Sequence, residues 1–300
     1  MKTITKVKDL QLMANTIRQD IITSLTEAKS GHSAGPLGMT DIFTALYFNI
    51  LKHNPKKPQW KDRDRVVLSN GHICPVLYAT MANAGYFPKK ELMTLRKLGT
   101  RLQGHPHREA LPGLETTSGP LGSGLSQAAG MAYALKIDRK NNHVWSFCSD
   151  GEHNEGNTWE AMLFAAKHKL NNLIVILDRN YIQIDGNTED IMPLDPLDKK
   201  YKAFNWNVVT INGHNMKRIV STLRNARKNK NKPLMIIANT TPGKGVSFME
   251  NDYTWHGKPP TKEQEEMALA ELRKREHSLE GVRCSQCSKL HRRCTCIEGQ

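Results

Sequence analysis

The chain has 300 residues, 38% of them apolar, and a mean hydropathy of −0.55, values ordinary for a soluble globular protein of one large α/β domain or two small ones. No run approaches the roughly 18 consecutive apolar residues of a membrane span, and the start "MKTITKVKDLQLMANTIRQDIITSL" lacks the apolar block and cleavage site of a signal peptide, so a cytoplasmic protein is expected. Lys and Arg exceed Asp and Glu by 43 to 29, a net charge of +14 that favours anionic ligands, nucleic acid, acidic lipids or an acidic partner surface without choosing among them.

Residues 7 to 25 space Leu10, Met13, Ile17, Ile21 and Leu25 three or four apart, which predicts an amphipathic helix laying one stripe on a core. Five apolar runs follow as strand candidates: "RVVLSN", "HVWSFCS", "NLIVILD", "NVVTI" and "PLMIIAN". Several are apolar at successive positions, as strands covered on both faces are, and helical patterns stand between them. This rhythm predicts an α/β fold with a mostly parallel sheet and helices on both faces. Cys74 and Cys148 lie in apolar strand-like segments and read as reduced core residues. A helix over 125–136 follows a Gly/Pro turn, another opens near Thr158, another follows "NGHN", and Thr261 with Gln264 has the spacing of a capping box. Apolar periodicity stops near residue 276. The reading is one domain over 1–276 and a basic, Cys-rich tail over 277–300.

The unit from 144 to 180 carries the chemistry. Its two strands end at Asp150, in "SDGEHNEG", and at Asn180, in "LDRNYIQIDG". A right-handed crossover brings both strand ends to the same sheet edge, where open α/β sheets bind ligands. A carboxylate, an amide oxygen and the Ile182 carbonyl are three hard oxygen donors. They leave three octahedral positions for two diphosphate oxygens and a water, an arrangement that suits Mg²⁺. Gly151 permits close backbone approach of a diphosphate, and the next helix aims its N-terminal amides near it. Taken singly, a strand-end Asp or Asn is more often a turn or cap residue; the pairing gives the site its weight.

In these motifs the chain resembles the thiamine-diphosphate-binding, N-terminal part of transketolase, and in particular the N-terminal subunit of split transketolases. The family's signature is Gly-Asp-Gly and, roughly thirty residues on, Asn; here it reads Ser149-Asp150-Gly151 and Asn180. The resemblance runs from about residue 8 to 275 through "KSGHSAGPLGMTDIFTALY", "DRVVLSNGH", "LQGHPH", "TTSGPLGSGLSQAAGMA", "DGEHNEGNTWEA", "NYIQIDG", "INGHN" and "GKGVSFMENDYTWHGKPP". It implies that Asp150, Asn180 and the Ile182 carbonyl bind Mg²⁺ (or Ca²⁺ or Mn²⁺). It also implies that Gly151, Glu152 and the Gly119-Pro120-Leu121 segment lie against thiamine diphosphate. His72 and His256 would face the diphosphate, and His32 and His105 the substrate's oxygens. Ketol transfer moves protons among hydroxyl and carbonyl oxygens near neutral pH, work for which imidazoles are suited. Glu155 would sit at a contact between two cofactor sites, or serve only as a helix N-terminal acid.

The family's activating glutamate and its sugar-phosphate-binding arginines belong to domains that do not occur in these 300 residues. The expectation is therefore a subunit inactive by itself and completed by a C-terminal transketolase subunit in an α₂β₂ assembly. It would transfer a two-carbon ketol unit from a ketose (phosphate) donor to an aldose acceptor. A related synthase or transferase acting on an unusual sugar is the alternative.

Two features depart from the family. Ser149 replaces a glycine, which the chain can accept if its backbone is that of an ordinary strand, but a crowded approach to the metal would weaken cofactor binding. The tail places Cys284, Cys287, Cys294 and Cys296 as C-x₂-C-x₆-C-x-C, with His291 able to replace one thiolate; tetrahedral Zn²⁺ and a variable basic tail compete as readings. A nucleic-acid-binding protein using that tail is a rival of a different class, weakened because no aromatic residue is interleaved with the basic ones.

Overall fold

Five predicted strands form one parallel sheet in a computed structural model that describes residues 3–281. The strands are β1 (Arg65–Leu68), β2 (Val144–Ser149), β3 (Leu173–Arg179), β6 (Asn207–Asn212) and β7 (Leu234–Asn239), in the order β1-β2-β3-β7-β6. A two-residue antiparallel pair, β4 (Ile182–Gln183) and β5 (Gly186–Asn187), makes a separate hairpin just after β3.

Successive apolar residues in the strands are explained by helices on both faces. Val66, Leu68, Trp145, Phe147, Ile174 and Ile176 join a core with α1 (Val7–Ala28), α2 (Ala34–Ala45), α3 (Cys74–Ala84) and α8 (Met216–Ala226). The alternate residues Val67, Cys148, Val175, Leu177, Met235 and Ile237 pack against α4 (Ser123–Ile137), α5 (Gly156–Lys167) and Tyr201 of α7 (Leu197–Ala203). Period-two alternation thus feeds two cores, as a doubly covered parallel sheet requires. A single turn, α6 (Thr188–Ile191), follows the hairpin.

The predicted helices are present with shifted ends. α1 buries Leu10, Ile17, Ile21 and Leu25 as expected, but also Ala14, Arg18 and Ile22, because α2, α3 and the last helix cover more of it than one stripe. That last helix, α9 (Lys262–Glu280), opens on the predicted capping box: Thr261 Oγ1 accepts from Gln264 N (3.3 Å) and Gln264 Oε1 from Thr261 N (2.9 Å). It continues past residue 276. The helix expected near Thr158 begins at Gly156. Cys74 requires a correction, since it is the first residue of α3 and not of a strand; Pro75 in the first turn favours the helix there. Both Cys74 and Cys148 are free and buried. The tail residues Cys284, Cys287, His291, Cys294 and Cys296 lie outside the described residues, and among those described no helix is long and apolar enough to cross a membrane.

One polar network ties α1, α2 and the turn between β6 and α8 to the loop after β7. Arg18 makes a two-pronged contact with Asp41 (2.7 and 3.2 Å), and His214 Nδ1 donates to the same carboxylate (2.9 Å). His214 Nε2 then accepts from Thr241 N (2.7 Å), so its tautomer is set. Burial by itself would raise the Asp41 pKa; the Arg18 guanidinium overrides it and holds the carboxyl well below its usual range. Removing one member of a buried pair strands the other charge, at about 3–5 kcal/mol. Arg18→Met is expected to lower the unfolding free energy by that amount in urea titrations; a loss near zero would show that the pair is replaceable.

Candidate active site

The parallel register sets the site. Ser149 of β2 pairs with Asp178 of β3, so the residues just beyond, Asp150 and Asn180, emerge side by side at the carboxyl edge of the sheet. Asp150 is 1% exposed, and both its oxygens are engaged by the backbone. Oδ1 accepts from Gly151 N (2.8 Å) and Oδ2 from Tyr181 N (2.8 Å), with Arg179 Nη1 at 3.3 Å. Asn180 Nδ2 donates to Asp178 Oδ2 (2.9 Å), which fixes the amide so that Oδ1 is the acceptor; Oδ1 takes one bond from Ile182 N (3.0 Å) and keeps a lone pair.

Burial raises the Asp150 pKa to about 6, against the lowering effect of Arg179 and the two backbone donors. Asp178 is raised to about 7, by burial first and then by the Asp150 charge, while Thr240 and Asn180 work in the opposite direction. Two carboxylates in this setting favour an added cation.

Glu152 is fully buried beside them. Its carboxylate accepts from Ser69 Oγ at the end of β1, from Gly122 N (2.5 Å) and from Ser149 N (3.3 Å). It therefore joins the ends of β1 and β2 to the turn before α4. Gly122 needs its φ of +79°, and a Cβ there would meet the Asn157 side chain at 1.8 Å. Ser149 is the last residue of β2, with ordinary strand backbone, so the side chain in place of glycine imposes no strain.

Three histidines from distant motifs meet at this edge. The rings of His32 and His72 lie 5.0 Å apart, His72 and His256 5.3 Å, and His32 and His256 5.5 Å. His105 is the most exposed of the four and stands apart from the triangle, near Gly71, where a Cβ would meet its Cδ2 at 3.2 Å. Burial lowers all four pKa values, that of His32 to about 4 with His256, Arg96 and His105 adding to the effect. At neutral pH the cluster is uncharged and can accept or donate protons.

These groups surround a cavity of about 340 Å³. All four histidines, Gly119, Leu121, Asp150, Gly151, Glu152, Asn180 and Ile182 line it, as does Ser149, the residue in place of the signature's first glycine, and so do Gln183 and Ile184, which motif reasoning did not select. Pro120 is exposed and does not line the cavity. Glu155 is also outside it, an exposed residue at the N-cap of α5. Asp178 was missed as well; only the pattern of a strand ending in Asp two residues before Asn hinted at it.

The cavity fits a metal–diphosphate cofactor by its donor chemistry. The buried atoms His32 Nδ1, His256 Nδ1 and Gln183 Nε2 have no hydrogen-bond partner among the described residues, and buried polar groups ordinarily have one. No group of three or more His, Cys, Asp and Glu side chains able to hold a metal occurs among the described residues. A cation here would therefore rely on one carboxylate, one amide oxygen and backbone carbonyl, as hard divalent ions can.

The fold and site define an α/β cofactor-binding domain with its ligand cavity at the carboxyl edge of a parallel sheet. The family model for the transketolase thiamine diphosphate binding domain matches residues 10–276, and the chain belongs to that family. It is 43% identical over 266 residues to a 6-deoxy-6-sulfo-D-fructose transketolase subunit from Clostridium sp. (strain MSTE9), covering 89% of this chain and 97% of that one. It is 40% identical over 275 residues to an apulose-4-phosphate transketolase subunit from Phocaeicola vulgatus, covering 92% and 98%. Among solved structures, the transketolase of Campylobacter jejuni superposes with a TM-score of 0.84 at 34% identity, over 89% of this chain and 43% of that one. The chain thus spans less than half of the full-length transketolase structures it matches.

A pH dependence follows from the buried imidazoles. An unfolded histidine titrates near ~6.5, whereas His32 in the fold titrates at about 4. Between those values the unfolded state binds more protons, so stability falls as pH falls. His32→Gln is expected to flatten the unfolding free energy against pH in that window. An unchanged slope would show that His32 is not held neutral by its surroundings.

Proposed function

We propose that this chain is one component of a thiamine-diphosphate- and Mg²⁺-dependent transketolase that moves a two-carbon ketol unit from a ketose donor to an aldose acceptor. The observation that carries the reading is the convergence of the Asp150/Asn180 pair and the neutral His32–His72–His256 triangle on one cavity. Asp150, Asn180 and the Ile182 carbonyl would hold the metal, with His72, His256 and Gly151 at the diphosphate and Gly119 and Leu121 along the cofactor. Thiamine diphosphate supplies the carbanion chemistry that breaks and makes the carbon–carbon bond. The chain's own part is to orient the substrate and manage its protons. His32 and His105, both neutral at pH 7, can each present one ring N–H donor and one ring nitrogen acceptor to a sugar hydroxyl or carbonyl oxygen.

The two subunit relatives are matched over nearly their whole length and the full-length enzymes over less than half. That division supports a second chain supplying the remainder of the active site; an α₂β₂ assembly, which the resemblance implies, is proposed with it. A sugar outside the ordinary sugar phosphates is the second reading for the substrate. It is favoured by those relatives' names, one a sulfonated fructose enzyme and the other an apulose-4-phosphate enzyme.

Asp150→Ala is expected to abolish Mg²⁺-dependent thiamine diphosphate binding in calorimetry, since it removes the one anionic ligand; unchanged affinity would remove Asp150 from the site. Ketol transfer is expected only when this chain is mixed with the protein encoded beside it, tested on ordinary, sulfonated and branched sugars. In that mixture His105→Ala should slow transfer by roughly 10²–10⁴-fold while leaving cofactor binding intact. Transfer by this chain without a partner would contradict the split assembly.

A further inference from the structure

Arg179 has no role in the functional reading above, yet it is the most buried cation near the site. Its side chain is 1% exposed and its guanidinium touches two regions at once. Toward the sheet, Nη1 contacts Asp150 Oδ2 (3.3 Å). Away from it, Nη1 donates to Thr188 Oγ1 (3.0 Å), and Nη2 contacts Glu189 Oε1 and, at 3.3 Å, Asp195 Oδ2. The group also lies 4.0 Å from the centre of the Tyr181 ring. Glu189 in turn accepts from Leu194 N (3.2 Å) and Asp195 N (3.3 Å), so its carboxylate closes the segment on itself.

The segment so gathered, residues 181–195, is one wall of the cavity. It contributes Ile182, Gln183 and Ile184 to the lining, and it leaves Tyr181, Ile184, Ile191 and Met192 substantially exposed. A hairpin of only four paired residues, Ile182, Gln183, Gly186 and Asn187, has little to hold it by itself. A planar guanidinium with several donors can bridge carboxylates on opposite sides, as a lysine ammonium cannot do in the same geometry.

We propose that Arg179 is a positioning residue that couples the metal-binding carboxylate to the 181–195 wall. Its charge is shared between Asp150 on one side and Glu189 and Asp195 on the other. While the outer acids hold it, Asp150 keeps lone pairs for a divalent ion. When they do not, the buried guanidinium turns its whole charge on Asp150 and competes with that ion. Order in the wall and affinity for the metal are then two readings of one equilibrium. The inference rests on the proposed metal site at Asp150.

Glu189 lies on the far side of Arg179 from Asp150 and is assigned to neither the metal nor the cofactor, so Glu189→Gln separates coupling from direct ligation. In the full-length chain, hydrogen exchange over 181–195 is expected to accelerate while β2, β3 and β7 stay protected. The Mg²⁺ concentration for half-maximal thiamine diphosphate binding is expected to rise by roughly 10–100-fold, the usual effect of disturbing a group behind a metal ligand. Arg179→Lys, which keeps the charge and loses the fork, should give the same pattern of exchange. Faster exchange with an unchanged Mg²⁺ requirement would overturn the coupling and leave Arg179 a local structural tie. A wild-type chain that binds thiamine diphosphate without regard to Mg²⁺ would instead overturn the metal-site reading and the coupling with it.

Discussion

The structure turns on a carboxylate buried at the end of a parallel strand. Asp150 sits where β2 and β3 finish in register, next to an amide whose orientation Asp178 dictates. Burial makes its charge costly, and the carboxyls of Asp178 and Glu152 beside it are pushed up for the same reason. The counter-charge supplied by the described residues is a single guanidinium, Arg179, which also serves Glu189 and Asp195. A divalent ion would offset the negative charge of this edge, and that electrostatic need is what ties the geometry to the proposed metal site.

Much of the remaining chain keeps that edge in shape. Glu152 draws Ser69, Gly122 and Ser149 to one point beside the cavity that it and Ser149 line. Arg18, Asp41 and His214 anchor Thr241, where the loop that carries His256 begins. The histidine triangle draws one ring from the segment between α1 and α2, one from the turn after β1 and one from that distant loop. Burial lowers the pKa of each of the three imidazoles and keeps the cluster neutral, so each ring offers one N–H donor and one nitrogen acceptor to a ligand.

The sheet was legible because several of its strands are short runs apolar at successive positions, as strands covered on both faces are, with helical patterns between them. The Asp150/Asn180 pair was legible because parallel crossover topology converts thirty residues of spacing into adjacency. The hairpin after β3 was not, since "YIQIDGN" is too short for any periodicity to emerge. Arg179 escaped notice for a related reason: a lone arginine after a strand reads as a surface residue until its four partners, scattered from 150 to 195, are placed around it. Cys74 was assigned to a strand because "HICPVLYATMA" is mostly apolar, and a buried helix and a buried strand share that signature. Pro120 matched a motif by position, but the cavity is lined by its neighbours Gly119 and Leu121.

The most direct test is crystallographic. The chain would be crystallised with thiamine diphosphate and Mn²⁺, and anomalous scattering used to locate the ion. The account expects one strong peak at about 2.0–2.2 Å from an Asp150 oxygen, Asn180 Oδ1 and the Ile182 carbonyl, the range for a small hard cation. Thiamine diphosphate bound in the cavity with no ion at those three oxygens, or an ion held elsewhere, would contradict it.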